Sequence, residues 1–279
     1  MHQVILGHPV AQIRRQQEWS VVVDVDETRG HPDPIAPGRF RSNFLKKLSP
    51  PKSDRLLGRT KVADLGPLRG LPLRELIIDA VRASDLSPLA GMHLAKLSAP
   101  HNKQIVDLSP LAGMPLSYLS LMQTQVSRID VLRGMPLETL LLSGTKVSDL
   151  SSLQGMPLRS LTLDATPVSN IRPLRGLPLE SVVLGNTSIS DLSPLTGAPL
   201  KELNLSGCKK LTDYTPVLTL ARLERLSCDV LPAELLPLRG SQTLQSIDAD
   251  AYPGEAHTGP RPVAEFWQAC DAHAAAQKK

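Results

Sequence analysis

Gly134-Met135-Pro136-Leu137-Glu138-Thr139-Leu140-Leu141-Leu142-Ser143-Gly144-Thr145-Lys146-Val147-Ser148-Asp149-Leu150 decides the fold, because the chain repeats nearly the same phrase along most of its length. The unit opening at Gly155 copies it with Leu158, Leu161, Leu163, Thr166, Val168, Asn170 and Ile171. Glycines at 70, 91, 113, 134, 155, 176 and 197 mark a period of 21 residues with a single step of 22. Such self-similarity is the signature of a repeat architecture. Within each unit the apolar positions end in a period of two. Leu140 and Leu142 therefore face one way and Leu141 the other, as in a short strand. The following Thr-x-Val-Ser-Asp-Leu stretch is too short and too rich in Ser, Asp and Pro for a long helix. Asp or Asn at 85, 107, 149, 170, 191 and 213 reads as the cap of one tight, 3-10-like turn. One unit cannot bury both of its open faces, so neighbouring units must stack and pair their strands into a parallel sheet.

Composition agrees with a core built from one residue type. The chain has 279 residues, of which 48 are leucine, while aromatic residues make up 3%. The net charge is +4, and its excess lies in residues 1–60, with 10 Lys/Arg against 6 Asp/Glu. The remainder is balanced and offers nucleic acid little nonspecific attraction, which makes that partner class unfavoured. No apolar run approaches a membrane span, and residues 1–15 lack the pattern of a secretory signal. The three cysteines, Cys208, Cys228 and Cys270, have neither disulfide-framework nor zinc spacing. These features predict a cytoplasmic location.

The pattern L-x-x-L-x-L-x-x-(T/N/C)-x-V-x-D-L resembles a leucine-rich repeat of the short, internalin-like bacterial kind. It covers residues 53–250. The resemblance implies an α/β solenoid, a right-handed horseshoe with a parallel concave sheet and 3-10 turns on the convex side. It also implies binding of a protein partner through the concave face, by a chain expected to be monomeric. In that family an inward Asn or Cys bonds the backbone of adjacent loops. Here the position holds Val81, Asn102, Thr124, Thr145, Thr166, Thr187 and Cys208. A hydroxyl keeps that logic; Val81 does not, and a less regular coil is expected there. The copies with Asn102 and Cys208 carry one extra residue before the next apolar position. These repeats also resemble those fused to bacterial serine/threonine kinases, which raises the alternative of a regulatory domain beside a kinase system; no kinase motif appears.

The ends do not repeat. Residues 1–52, with Trp19, Phe40 and Phe44, read as an arm or a cap, with a strand signal at Val21-Val22-Val23 and a proline-punctuated stretch to Pro51. In 251–279, after a turn-rich linker, Val263, Phe266, Trp267 and Cys270 fall at i, i+3, i+4 and i+7, one apolar face of a helix that caps the solenoid or docks a partner.

Catalytic chemistry finds one foothold. Val21-Val22-Val23-Asp24-Val25-Asp26-Glu27-Thr28 resembles the first motif of haloacid-dehalogenase-like phosphatases, which would make Asp24 the nucleophile and Asp26 the acid/base. That chemistry needs further residues on a doubly wound domain, and the repeats occupy the chain downstream. The histidines at 2, 8, 31, 93, 101, 257 and 273 have no metal-ligand spacing, and His93 and His101 read as surface loop residues. No phosphate-binding or nucleophile-elbow motif occurs. The expectation is therefore a non-enzymatic module without cofactor or metal.

Three columns of outward strand residues follow from the register. The first runs Glu75, Lys96, Tyr118, Thr139, Ser160, Ser181, Glu202 and Arg225. The second runs Ile77, Ser98, Ser120, Leu141, Thr162, Val183, Asn204 and Ser227, and the third runs Asp79, Pro100, Met122, Ser143, Asp164, Gly185, Ser206 and Asp229. Charges gather at the ends, and apolar groups sit among small hydroxyls in the middle, as in protein interfaces. The residues expected to bind are Tyr118, Ser120, Met122, Thr139, Leu141, Thr162, Asp164, Ser181 and Val183, with Tyr118 as anchor; scattered exposed aliphatics are the alternative.

Overall fold

The computed structural model describes residues 4–5, 19–20, 64–79, 82–229, 236–249 and 260–276, with side chains for those from 64 to 272. The chain forms two compact units, Met1–Val126 and Ser127–Lys279. In the first, two-residue strands β1 (Val4–Ile5) and β2 (Trp19–Ser20) pair in parallel with β3 (Leu73–Ile77). β4 (Lys96–Ser98) and β5 (Tyr118–Ser120) continue the parallel sheet, in the register Glu75↔Lys96↔Tyr118. Leu76, Leu97 and Leu119 stand between the outward positions and are fully buried. The 3-10 turns Gly66–Leu68, Ser87–Leu89 and Ser109–Leu111 alternate with the strands.

The second unit repeats the scheme with β6 (Thr139–Leu141), β7 (Ser160–Thr162), β8 (Ser181–Val183), β9 (Glu202–Asn204), β10 (Arg225–Cys228) and β11 (Ser246–Ala249). All pair in parallel, in the register the repeat predicts from Thr139↔Ser160 to Glu202↔Arg225, and β11 adds Arg225↔Ser246. An antiparallel pair follows, β12 (Arg261–Pro262) against β11, and then helix α1 (Val263–Ala276). In α1, Phe266 and Cys270 are buried and Val263 and Trp267 half-buried, so the predicted apolar stripe is the inward one. The Arg239 guanidinium lies 4.8 Å from the Trp267 ring centre and pairs with Asp271.

The turns are capped as the aspartates suggested, by a carboxylate or amide reaching two residues ahead. Asp149 Oδ1 accepts the Ser151 N–H at 2.8 Å while Oδ2 accepts the Ser151 hydroxyl at 3.0 Å. Asp85, Asp107, Asn170, Asp191 and Asp213 accept the equivalent N–H groups. The coil at 127–132 inverts the arrangement. Arg128 takes the cap position and pairs with Asp130 two residues on. After the three-residue turns a glycine such as Gly155 has φ +74°, and nothing lies within 4 Å of the Cβ it lacks, so glycine is required there for conformation alone.

Inside the loops leaving the strands, the small polar side chains are buried and bonded. Thr124, Thr145, Thr166 and Thr187 each donate to the carbonyl three residues back, at 2.6–2.7 Å. Asn102 and Cys208 do more. Asn102 Nδ2 reaches the preceding coil at Ile78 O, 2.6 Å away, as well as its own loop at Ala99 O, 3.1 Å away. Cys208 Sγ reaches Leu184 O of the preceding coil at 3.1 Å and Thr187 Oγ1 at 3.5 Å. The threonine hydroxyls reach carbonyls of their own loops only. The extra residue after Asn102 and Cys208 also has a place: it closes a local turn, with Ile105 N on Asn102 O and Leu211 N on Cys208 O. In the coils of Thr124 and Thr187 the next residue instead donates across to the preceding coil, at Ile105 O and Val168 O. Val81 lies outside the described residues.

The residue before each of these side chains is left-handed: His101, Gln123, Gly144, Ala165, Asn186 and Gly207 have φ between 54° and 76°. The regular convex packing changes at Thr215–Thr219 and Leu236–Gly240, where the 3-10 turns lengthen to five residues. Leu220-Ala221-Arg222 supplies no glycine where the other coils turn sharply. A groove of about 430 Å³ lies here, lined by Val217, Leu218, Leu223, Leu238 and Leu244, with Leu218 47% exposed.

Three outcomes follow. Asn102→Ala strips a donor from carbonyls of two coils and should cost about 2–3 kcal/mol, against about 1 kcal/mol for Thr166→Val. Urea unfolding decides, and equal costs would contradict the bridging role. Ser152 is buried with its hydroxyl lacking a partner, at the turn position where Pro88, Pro110, Pro173 and Pro194 stand in other coils. Ser152→Pro should therefore stabilise by about 1 kcal/mol, read as a rise in Tm. Finally, bonds from the residue two ahead hold the carboxyls of Asp85, Asp107, Asp149, Asp191 and Asp213 below the ordinary 3.8. The main cause is the backbone N–H for Asp85 and Asp149, and the hydroxyl for Asp107, Asp191 and Asp213. A group whose folded value is depressed stabilises above its unfolded value and loses that contribution as pH falls through the folded one. The urea midpoint should thus drop below about pH 3.8, and less steeply in an Asp149→Asn, Asp191→Asn variant; an unchanged slope would contradict this.

Candidate functional site

The outward positions of the strands form one face in each unit. On β3–β5 the central feature is Tyr118, half-buried, with Lys96 Nζ 5.0 Å from its ring centre. Burial pushes the tyrosine hydroxyl above its ordinary value of 10.0, opposed by a hydrogen bond from Ser120. Ser120, two residues on and on the same side, is only 2% exposed. Its burial leaves it little surface to offer a partner, unlike the half-buried Tyr118 and Met122. Ile77 on β3 and Met122 are half-buried. Beyond the strand end, burial raises the carboxyl of Asp79, and the charge of His101 partly offsets this.

The face on β6–β11 is mainly hydroxyl-lined. Thr139, Ser160 and Ser181 stand in one column, and Ser143 Oγ meets Thr162 Oγ1 at 3.0 Å. Leu141 and Val183 stand in the second column on either side of Thr162, each half-buried. Toward the other end, Ser181 Oγ donates to Glu202 Oε2 at 3.0 Å, and Glu202 pairs with Arg225. In the third column Asp164 accepts from Asn186 Nδ2 at 3.2 Å, and Gly185 leaves the room it occupies, since a Cβ there would lie 2.6 Å from Asp164 Oδ1. Gly207 N donates to Asp229.

Just before the strands, charges alternate from coil to coil. Glu180 accepts from Arg159 at 2.5 Å and from Lys201 at 2.7 Å, and the bond from Lys201, then that from Arg159, holds its carboxyl below the ordinary value. Reading the strand register alone did not single out this row; its signal was the charge sequence Glu138, Arg159, Glu180, Lys201, Glu224 at repeat spacing.

The structure thus places Tyr118 and Met122 on the face of the first unit. It places Thr139, Leu141, Thr162, Asp164, Ser181 and Val183 together on that of the second. His93 and His101 are exposed loop residues, as expected. Asp24 and Asp26 lie outside the described residues. Among the described residues no group of His, Cys, Asp or Glu is arranged to hold a metal, and no helix is long and apolar enough to cross a membrane. Cys208, Cys228 and Cys270 are buried thiols, and burial raises the Cys208 thiol, against the hydrogen bond with Thr187.

No model of a known protein family matches the chain, and no curated protein does. Solved structures do. A crystal structure of an internalin, inlF, from Listeria monocytogenes is 26% identical and superposes with a TM-score of 0.59 over 68% of this chain. The match covers 65% of the internalin, so this chain spans less than two thirds of its length. An internalin C2 from the same organism, 22% identical over 68% of this chain and 77% of its own, has a TM-score of 0.51 and shares the fold. Its repeated strand and 3-10 turn give the chain the leucine-rich-repeat fold of the short, internalin-like type.

The outward register predicts unequal costs for adjacent leucines. Leu140→Ala empties a fully buried position and should cost about 3 kcal/mol. Leu141→Ala should cost under about 1 kcal/mol. Urea unfolding of the pair checks this, and a larger cost at Leu141 would reverse the register.

Proposed function

We propose that this chain is a non-enzymatic module that binds a protein partner through the strand face of its leucine-rich repeats. The observation that carries the reading is the column of β6–β8. Leu141 and Val183 keep aliphatic surface accessible on the sheet, in a ring of hydroxyls from Thr139, Ser143, Thr162 and Ser181. Apolar groups among hydroxyls bury favourably, and the carboxylate on this face, Asp164, is already bonded by Asn186. The likeness to internalins supports a protein ligand as the class. Tyr118 supplies a second anchor on the first unit, a large ring of restricted freedom already held beside Lys96.

The same reading treats residues 1–52 as an arm or cap and 251–279 as a linker and capping helix, and it takes the module as monomeric and cytoplasmic. The buried, reduced thiols are consistent with a reducing compartment.

The test is a pull-down from lysate of the source organism with the native protein, Leu141→Lys and Tyr118→Asp, each variant first shown by circular dichroism to be folded. A protein retained by the native chain and lost from Leu141→Lys is the expected result. Loss from Tyr118→Asp as well would extend the contact to the first unit. A partner retained equally by both variants would overturn the assignment to the strand face.

A further inference from the structure

We draw no further inference here: the strongest candidate, the apolar groove between the 3-10 turns Thr215–Thr219 and Leu236–Gly240 with Leu218 exposed on its rim, carries nothing because nothing in the structure shows what covers it.

Discussion

The loop that leaves each strand turns inward, and its backbone must be satisfied without water. That constraint governs the rest of the molecule. Peptide carbonyls at Leu121, Leu142, Leu163 and Leu184 lie where the sheet ladder has ended, and each receives a buried hydroxyl from three residues ahead, joined at the first three by the same threonine's N–H and at Leu184 by the Cys208 thiol. A buried side-chain donor left without an acceptor in such a place costs more than a met one gains. The position therefore tolerates Thr, Asn or Cys among the described coils, and it sets where the chain must be left-handed one residue earlier. Ala165, with φ 54°, accepts that conformation although its type disfavours it. The loop geometry prevails over the local preference.

From this anchor the coil closes in a fixed order. The inward loop leads to a buried Val or Ile, and then to a turn whose first N–H groups are capped from two residues back. A left-handed glycine returns the chain to the next strand. Because the same atoms are fixed in each coil, the outward strand positions stack in columns and the solvent-facing side chains are free to vary. Stability thus lies in the inner loop and the leucines, and freedom to vary in the columns. Leu140 and Leu141, adjacent in the chain, belong to different parts of this division.

Much of this was legible in the sequence, because a period of two within a period of 21 leaves one consistent assignment of inside and outside. The columns, the capping aspartates and the apolar stripe of α1 were all readable in that way. What escaped depended on contacts between coils. Ser120 is outward by register yet buried, and it hydrogen-bonds Tyr118 two residues away. The extra residue after Asn102 and Cys208 was visible, but its reason is a turn hydrogen bond that no pattern of polarity encodes. His101, Gln123, Ala165 and Asn186 hid the left-handed position, since they do not announce it as glycine does at 144 and 207. The groove beside Leu218 lies where the turns lengthen to five residues and the turn glycine is missing, an absence that only the geometry of neighbouring turns makes meaningful.

The most direct measurement of this account is native-state amide hydrogen exchange resolved to single residues across 127–229. Leu142, Leu163, Leu184 and Leu205 donate their amides to Thr162, Val183, Asn204 and Ser227 at the inward loop. These amides should be among the slowest to exchange, recurring once per repeat, with the exposed residues between them fast. Protection that ignored position in the repeat, or that left those four amides fast while the protein stayed folded, would contradict it.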